Sequence, residues 1–294
     1  MTEATHISMG LSRPGAPCGR WYRGRMDGRG RLIGSLRRVA RSLGSGRREG
    51  AIALVAYGVY SLVRGVFGGT IEEGRANADG LINLEDRLGI LVEPDLQTAF
   101  TDHHIVMPFW NYFYPISQVI VLPLTLVLVY RYRRHAYPLL RNLAILSWCG
   151  GLVWYALQPV APPRLSGLLT DTVSSQTFVD LDNSLIRAFY NPVAAMPSLH
   201  VGLAPVVAWA LWRLTRSPWT RALGLLYPLL VATSIMVTGN HYVLDIAGGL
   251  AVVIPAAVIA RILTGSPDIG EPGDRNQVPM LVRGNREPAE LDLP

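Results

Sequence analysis

Apolar residues are concentrated in six long runs along the chain. Runs of about 18 or more such residues match the thickness of a bilayer and predict membrane-spanning helices. The chain is therefore predicted to be an all-α, polytopic membrane protein with six transmembrane helices. The runs cover approximately 51–68, 112–130, 139–159, 198–214, 222–238 and 242–263.

The two ends of the chain differ from this apolar part. Residues 1–48 are rich in Arg, Gly, Ser and Pro, and residues 265–294 are rich in Pro, Gly and charged residues. Segments of this composition bury too little apolar surface to fold, so both tails are predicted to be disordered. They flank a predicted six-helix membrane domain at 49–264. The basic tail favours attraction to anionic lipid, and no nucleic-acid partner is expected.

The distribution of arginine predicts the orientation. All 27 basic residues are arginine, and the positive-inside rule places arginine-rich connections in the cytoplasm. The two tails and the connections 131–141 and 213–221 hold most of them. The predicted protein is a multi-pass protein of the cell membrane, with both termini cytoplasmic. The outer loops hold only Arg75, Arg87, Arg164 and Arg187.

Three polar stretches fall at the outer ends of the predicted helices: residues 161–164, 196–200 and 239–245. Distant segments that meet at one depth can form an active site between helices. In the last stretch, His241 and Asp245 are four residues apart, which on a helix places both side chains on one face. The carboxylate would accept the Nδ1 proton of the imidazole and leave Nε2 free to attack.

A second histidine and an arginine complete the predicted site on the outer face. His200 follows Pro197, and proline favours the first turn of a helix. The N–H groups of Ser198 and Leu199 would then form an anion site at the start of a helix. His200 would protonate a leaving oxygen there, and Arg164 offers a permanent charge with a fork geometry suited to phosphate.

At these motifs the chain resembles the type 2 phosphatidic acid phosphatase superfamily, most closely its branch of inositol phosphorylceramide synthases. The family's Pro-Ser-x-His motif corresponds to residues 197–200, and its His-x-x-x-Asp motif corresponds to residues 241–245. Arg164 corresponds to the arginine that ends its first motif. The resemblance covers roughly residues 51–263 and implies a six-helix layout, no metal and no cofactor.

The resemblance also implies a role for each candidate residue. His241 would be the nucleophile, Asp245 its orienting carboxylate and His200 the proton donor. Arg164 and Ser198 would hold the phosphate. Such enzymes act on membrane phospholipids through a phosphohistidine intermediate, with water or a small alcohol as the acceptor.

Three positions depart from the phosphatase pattern. Leu199 stands where that pattern has glycine, Leu157 where it has lysine, and Ile235 where it has arginine. Two phosphate-binding cations are therefore missing. A phosphodiester carries one negative charge and a phosphomonoester nearly two, so the departures favour a transferase that moves a phospho-headgroup between a lipid and an inositol-type polyol. Otherwise another arginine replaces the missing cations, the candidates being Arg187, Arg75 and Arg64.

Three other functions stay open. A lipid phosphate phosphatase, of the phosphatidic acid or polyprenyl-phosphate type, shares the first chemical step. A metal-dependent hydrolase could use the two histidines and the carboxylate as ligands, although an arginine beside a divalent ion counts against it. A non-enzymatic transporter or lipid-binding protein would be expected to show inverted repeats or a polar path through the membrane, and neither is visible in the sequence.

A further polar cluster consists of Asp102, His103 and His104. It is either a metal or substrate site or a solvated loop.

Overall fold

The computed structural model describes residues 28–66, 69–177 and 191–265, and within these ranges the protein is all-helical. Extended pairing there is limited to one bridge, between Val160 and Ala194. The predicted all-α class is therefore confirmed for the described residues. The helices are α1 (Gly28–Val66), α2 (Ile71–Leu88), α3 (Glu93–Thr101), α4 (Val106–Ile116), α5 (Leu122–Tyr132), α6 (Tyr137–Leu157), α7 (Pro163–Ser166), α8 (Thr172–Gln176), α9 (Leu199–Leu214), α10 (Pro218–Val237) and α11 (Val243–Thr264).

Two compact units divide the chain, residues 1–51 and residues 52–294. In the first unit, the structure differs from the predicted disorder, because α1 already begins at Gly28. Arginine and leucine are good helix formers, and extending an existing helix costs less than starting a new one. The rest of the predicted disorder, at residues 1–27 and 266–294, lies outside the described residues.

Among the described residues, four helical stretches are long and apolar enough to cross a membrane. They are Ser45–Val66 in α1, Val106–Tyr132, α10 and α11. A π-helical turn, Ser117–Val121, joins α4 to α5 within the second of these. The other two predicted spans are also helical, but α9 has only 16 residues, and Arg141 and Asn142 follow the start of α6. These helices indicate a membrane protein, and the number of six spans stays a prediction.

The outward faces of the long helices carry large apolar side chains. Leu54 is 74% exposed, Val119 65%, Leu229 65% and Ile262 73%. Apolar surface of this extent is rare on soluble monomers and suits contact with lipid.

Glycines allow the helices at the centre of the second unit to approach one another closely. A Cβ atom on Gly249 of α11 would collide with the backbone oxygen of Ser198, at the start of α9. A Cβ atom on Gly150 of α6 would meet the side chain of Val252 of α11, so a small residue allows close packing there as well. These close contacts hold the start of α9 against α11, and α11 against α6.

Residues 69–111, between the first two predicted spans, are largely helical and form α2, α3 and the start of α4. A capping box starts α2: the N–H of Glu73 donates to the Thr70 hydroxyl at 3.1 Å, and the N–H of Thr70 donates to the Glu73 carboxylate at 2.9 Å. Leu84 and Leu88 are exposed apolar residues of α2. Glu85 of α2 and Glu93 of α3 each accept a backbone N–H at the N-terminus of α11.

Candidate active site

The three polar stretches of the sequence meet through hydrogen bonds that they and the residues just before them make. The N–H of Val160 donates to the backbone oxygen of Val193 at 2.8 Å, and the N–H of Ala195 donates to that of Val160 at 3.1 Å. The N–H of Arg164 donates to the backbone oxygen of Gly239 at 2.9 Å. The structure therefore brings together the segments that the sequence places at one membrane depth.

His241 is held by two acceptors. Its Nδ1 lies 2.8 Å from the backbone oxygen of Ala195 and 3.1 Å from Oδ2 of Asp245. Because a carbonyl oxygen can only accept, Nδ1 carries the proton and the lone pair lies on Nε2, the other ring nitrogen. His241 is 5% exposed and Asp245 is fully buried, so the contact that fixes this tautomer is shielded from water.

The contact between His241 and Asp245 does not arise from two positions on one helix, and here the structure differs from the prediction. His241 precedes α11, and Tyr242 is the N-cap residue. Asp245 is the third helical residue, and its carboxylate accepts the N–H of Tyr242 at 2.9 Å. Its Oδ2 atom also reaches back to His241, so helix capping produces the pair.

His200 lies in the first turn of α9, close to His241. The two ring centroids are 5.5 Å apart, with the ring planes at 61°. Tyr114 of α4 stacks on His200 with centroids 4.7 Å apart and planes at 23°. The stacking partner restricts the orientation of this imidazole.

The start of α9 differs from the predicted anion site in two respects. The helix begins at Leu199 with Ser198 as its N-cap, so Pro197 lies outside it. The N–H of Ser198 donates to the backbone oxygen of Asp245 at 2.9 Å and is already engaged. Leu199 is 4% exposed, and its N–H lies in the first turn, where no intrahelical acceptor is available.

Arg164 is buried and paired. Its Nε donates to Oδ1 of Asn240 at 3.1 Å, and its Nη1 donates to Oδ2 of Asp171 at 3.1 Å. Asp171 balances its charge, and the bond to Asn240 ties α7 to the segment before α11. Arg164 is not among the described residues that line the pocket of the two histidines.

One pocket, with an empty volume of about 520 Å³, contains His200 and His241 together with side chains from other helices. Arg64, in the last turn of α1, lines this pocket. Its guanidinium carbon is 5.4 Å from the ring centroid of Tyr155 and 6.0 Å from that of Tyr60, within the range of cation–π contacts. The pocket is further lined by Tyr57, Tyr114, Gln118, Pro162, Pro192, Ala194, Ala195, Leu199 and Asn240.

The other candidates for the missing cations are placed differently. The Nε of Arg75 donates to the backbone oxygen of Leu165 at 2.8 Å. Arg187 lies outside the described residues. Among the arginines that the structure describes, Arg64 is the one that lines the pocket of the two histidines.

Sequence reasoning missed several residues near the site, above all two buried glutamates, Glu85 and Glu93. Both are fully buried and accept N–H groups at the start of α11. The buried face of α2 consists of Gly74, Ala78 and Glu85. In the sequence, the helical spacing of two small residues and Glu85 would have indicated that this face of α2 packs against another part of the protein.

The cluster of Asp102, His103 and His104 lies apart from the pocket of the two histidines. All three residues are exposed, between α3 and α4. His103 and His104 line a separate pocket with an empty volume of about 400 Å³. Across the described ranges, no group of three or more His, Cys, Asp or Glu side chains is arranged to hold a metal ion.

Comparison with known proteins gives one match. The family model of the PAP2 superfamily matches residues 79–259, more than half of the chain. No curated protein and no solved structure matches the chain. The superfamily resemblance is thereby confirmed, and its inositol phosphorylceramide synthase branch stays a prediction. With two histidines meeting in one pocket and the match spanning both, the chain belongs to the PAP2 superfamily, a family of enzymes that act on phosphate esters of lipids.

Proposed function

We propose that this protein is a membrane lipid phosphotransferase that works through a phosphohistidine at His241 and transfers to an inositol-type polyol. The observation that carries the proposal is the tautomer of His241, whose Nδ1–H is held by Ala195 and Asp245. A nucleophilic imidazole needs a lone pair on the attacking nitrogen and a fixed ring. Asp245 also stabilises the positive charge that the ring acquires as Nε2 bonds to phosphorus.

In the first step, Nε2 of His241 attacks the phosphorus of a phospholipid. The N–P bond forms while the bond from phosphorus to the leaving oxygen breaks, and His200 gives its proton to that oxygen. The two rings lie 5.5 Å apart, and Tyr114 stacks on the ring of His200. General acid catalysis of this kind contributes typically about 10²–10⁴-fold.

In the second step, a hydroxyl group of the acceptor attacks the phosphohistidine. The N–P bond breaks, a new O–P bond forms, and the proton of the hydroxyl passes to His200, which restores the enzyme. Water as acceptor gives hydrolysis, and a polyol gives transfer. Leu199 is buried beside Gly151 of α6 and lines the pocket, where an apolar side chain limits the access of water.

Arg64 supplies the positive charge that faces the substrate phosphate. It lines the pocket, whereas Arg164 is bonded to Asp171 and Asn240 and contributes at longer range. The hydroxyl of Ser198, buried and without a partner among the described residues, offers a further contact. A pocket with one lining arginine in the described part of the chain suits the single charge of a phosphodiester better than a phosphomonoester.

The pocket faces the outer side of the membrane in this proposal, with both termini in the cytoplasm. Arginine asymmetry supports this orientation. A reporter fused after Ser175 should be found outside, and one fused after Ser217 should be found in the cytoplasm. The opposite result would reverse the orientation without affecting the chemistry.

In the decisive test of the function, purified protein in detergent is incubated with a panel of labelled phospholipids, with and without excess inositol. Transfer predicts a labelled phosphodiester product that forms only when the polyol is present, identified by mass. Free phosphate as the sole product, whatever polyol is added, would identify a phosphatase.

A second experiment adds chelators, and turnover should survive them. Activity that is lost in EDTA but restored by zinc or magnesium would identify a metal-dependent hydrolase. Binding without any turnover would identify a transporter or lipid-binding protein.

A further inference from the structure

Two buried glutamates hold the start of α11, the helix that carries Asp245. Glu85 of α2 accepts the N–H of Leu244 at 2.6 Å, and Glu93 of α3 accepts the N–H of Val243 at 2.7 Å. Both glutamates are fully buried. Helix geometry leaves these N–H groups without intrahelical partners and makes this end of the helix attractive to negative charge.

Glu85 and Glu93 cannot easily both be ionised. In each, Oε1 accepts the backbone N–H, while Oε2 is buried without a donor among the described residues. The N–H groups that they accept belong to adjacent residues, so two buried carboxylates meet at one turn of helix, and a proton on one of them gives the other a donor.

The surroundings of Glu85 favour its protonated form. Burial is the main cause that raises the pKa of Glu85 from 4.5 to about 8. The neighbouring charges of Glu93 and Asp245 add to the increase, and the hydrogen bond from Leu244 opposes it. The titratable groups that face Glu85 are Glu93, Asp245 and Tyr242.

We propose that Glu85 and Glu93 are a proton-sharing pair that holds the N-terminus of α11 and thereby positions Asp245 against His241. At neutral pH the pair keeps one proton and places one negative charge, rather than two, beside Asp245. Asp245 then stays in place as the acceptor for the Nδ1–H of His241. As a statement about catalysis, this inference rests on the proposed role of His241 as the nucleophile.

The shared proton makes both stability and positioning depend on pH. Since the pKa of Glu85 is higher in the folded protein than in the unfolded chain, the folded protein binds the extra proton. The stability that this proton confers is complete below about pH 4.5, decreases as the pH rises, and is lost above about pH 8. At that point a second charge develops beside Asp245, which repels it and loosens the start of α11.

The test compares Glu85→Gln with Glu72→Gln, the same change at an exposed position of the same helix. Thermal unfolding, turnover and the ring ¹⁵N signals of His241 are followed in detergent from acid to alkaline pH. In the wild type and in Glu72→Gln, the unfolding temperature should fall as the pH rises from about 4.5 to about 8 and then level off, and kcat should fall above about pH 8 by up to about tenfold per pH unit. In Glu85→Gln both falls should disappear, because glutamine still accepts the N–H of Leu244 but cannot gain a charge.

The ring ¹⁵N signals of His241 distinguish an effect of Glu85 on the position of Asp245 from an effect on the stability of the fold alone. In the wild type the Nδ1–H tautomer of His241 should become mixed with the Nε2–H tautomer above about pH 8, and in Glu85→Gln it should persist. A second variant, Glu93→Gln, removes a neighbouring charge and should move the alkaline change to lower pH.

Three results would overturn the proposal. The first is a Glu85→Gln variant with the wild-type fall in unfolding temperature between about pH 4.5 and 8, and the second is loss of that fall in Glu72→Gln. The third is a tautomer of His241 that responds to pH equally in the wild type and in Glu85→Gln. Because unfolding and ring signals need no substrate, the proton-sharing pair can hold even if no lipid is turned over, which would refute only the proposed function.

Discussion

The pocket has two walls, and they differ in how they are held. The motif wall consists of His200, Asn240 and His241, at the starts of α9 and α11, inside the residues 79–259 that match the PAP2 superfamily. Hydrogen bonds fix Asn240 and His241 in this wall, such as the contact of 2.8 Å from Nδ1 of His241 to the backbone oxygen of Ala195, and His200 stacks on Tyr114.

The α1 wall consists of Tyr57, Tyr60 and Arg64, which precede the matched region. Aromatic contacts fix it: the rings of Tyr57 and Tyr60 each lie 5.6 Å from the ring of Trp148 in α6. Tyr57 is 50% exposed, and Tyr60 is buried.

In the proposed reaction the two walls have different roles. The motif wall would hold the groups that break and form bonds. The α1 wall holds Arg64, the one arginine among the described residues that lines the pocket, and it lies outside the matched region. Membership in the superfamily therefore indicates the class of reaction, while under the proposed function the charge of the lipid headgroup depends on α1.

The largest effect is expected at the motif wall. His241→Ala should abolish the phosphoenzyme and lower turnover by roughly 10⁴-fold or more, as removal of a covalent nucleophile does. His135→Ala, the same change at an exposed histidine, is the control. Labelling with ³²P-phospholipid and quench-flow measurement of turnover give the readout. A phosphoenzyme that persists in His241→Ala would eliminate this mechanism.

A smaller effect is expected at the α1 wall. Arg64→Gln should raise KM for an anionic lipid by about 10- to 100-fold, since a hydrogen bond to a charged group contributes about 1.5–3 kcal/mol. Arg64→Lys should recover part of the loss. Arg261→Gln, in the last turn of α11 and exposed, is the matched control. Unchanged KM in Arg64→Gln would show that the α1 wall does not bind the headgroup.

A still smaller effect on KM is expected at Arg164, because Asp171 and Asn240 already bind its side chain. Arg164→Gln should instead lower the free energy of unfolding by about 1–3 kcal/mol, since it leaves Asp171 without its partner. Denaturation in detergent and substrate saturation curves measure the two quantities. If KM rises more in Arg164→Gln than in Arg64→Gln, the motif arginine is the main contact for the phosphate after all.

The last comparison, between two helical glycines, concerns stability alone, and no direct effect on the chemistry is expected. Gly249→Ala should destabilise the protein by about 1–3 kcal/mol, because the added Cβ collides with the backbone of Ser198 and separates α9 from α11. Gly58→Ala in α1 has nothing within 4 Å of the new atom and should be neutral or slightly stabilising. Equal unfolding temperatures for the two variants would mean that the motif wall does not depend on this close contact.

The sequence by itself predicted the all-α class of the protein and the two histidines of the motif wall. Apolar runs predict helices because every backbone polar group in a bilayer must be satisfied within its own segment. The spacing of His241 and Asp245 identified a pair that does form, although through helix capping and not on one helical face. Local patterns were sufficient in these cases because the partners are close in the chain.

Only the tertiary structure decided which distant side chains join the site. Arg64 was one of several candidates in the sequence, and the packing of α1 against α6 brings it to the pocket. Arg164 was expected to face the phosphate, but Asp171 and Asn240 bind it. Glu85 and Glu93 reach α11 across 159 and 150 residues of chain. No periodicity or motif encodes such contacts, because they depend on how whole helices pack and on which buried donors then need an acceptor.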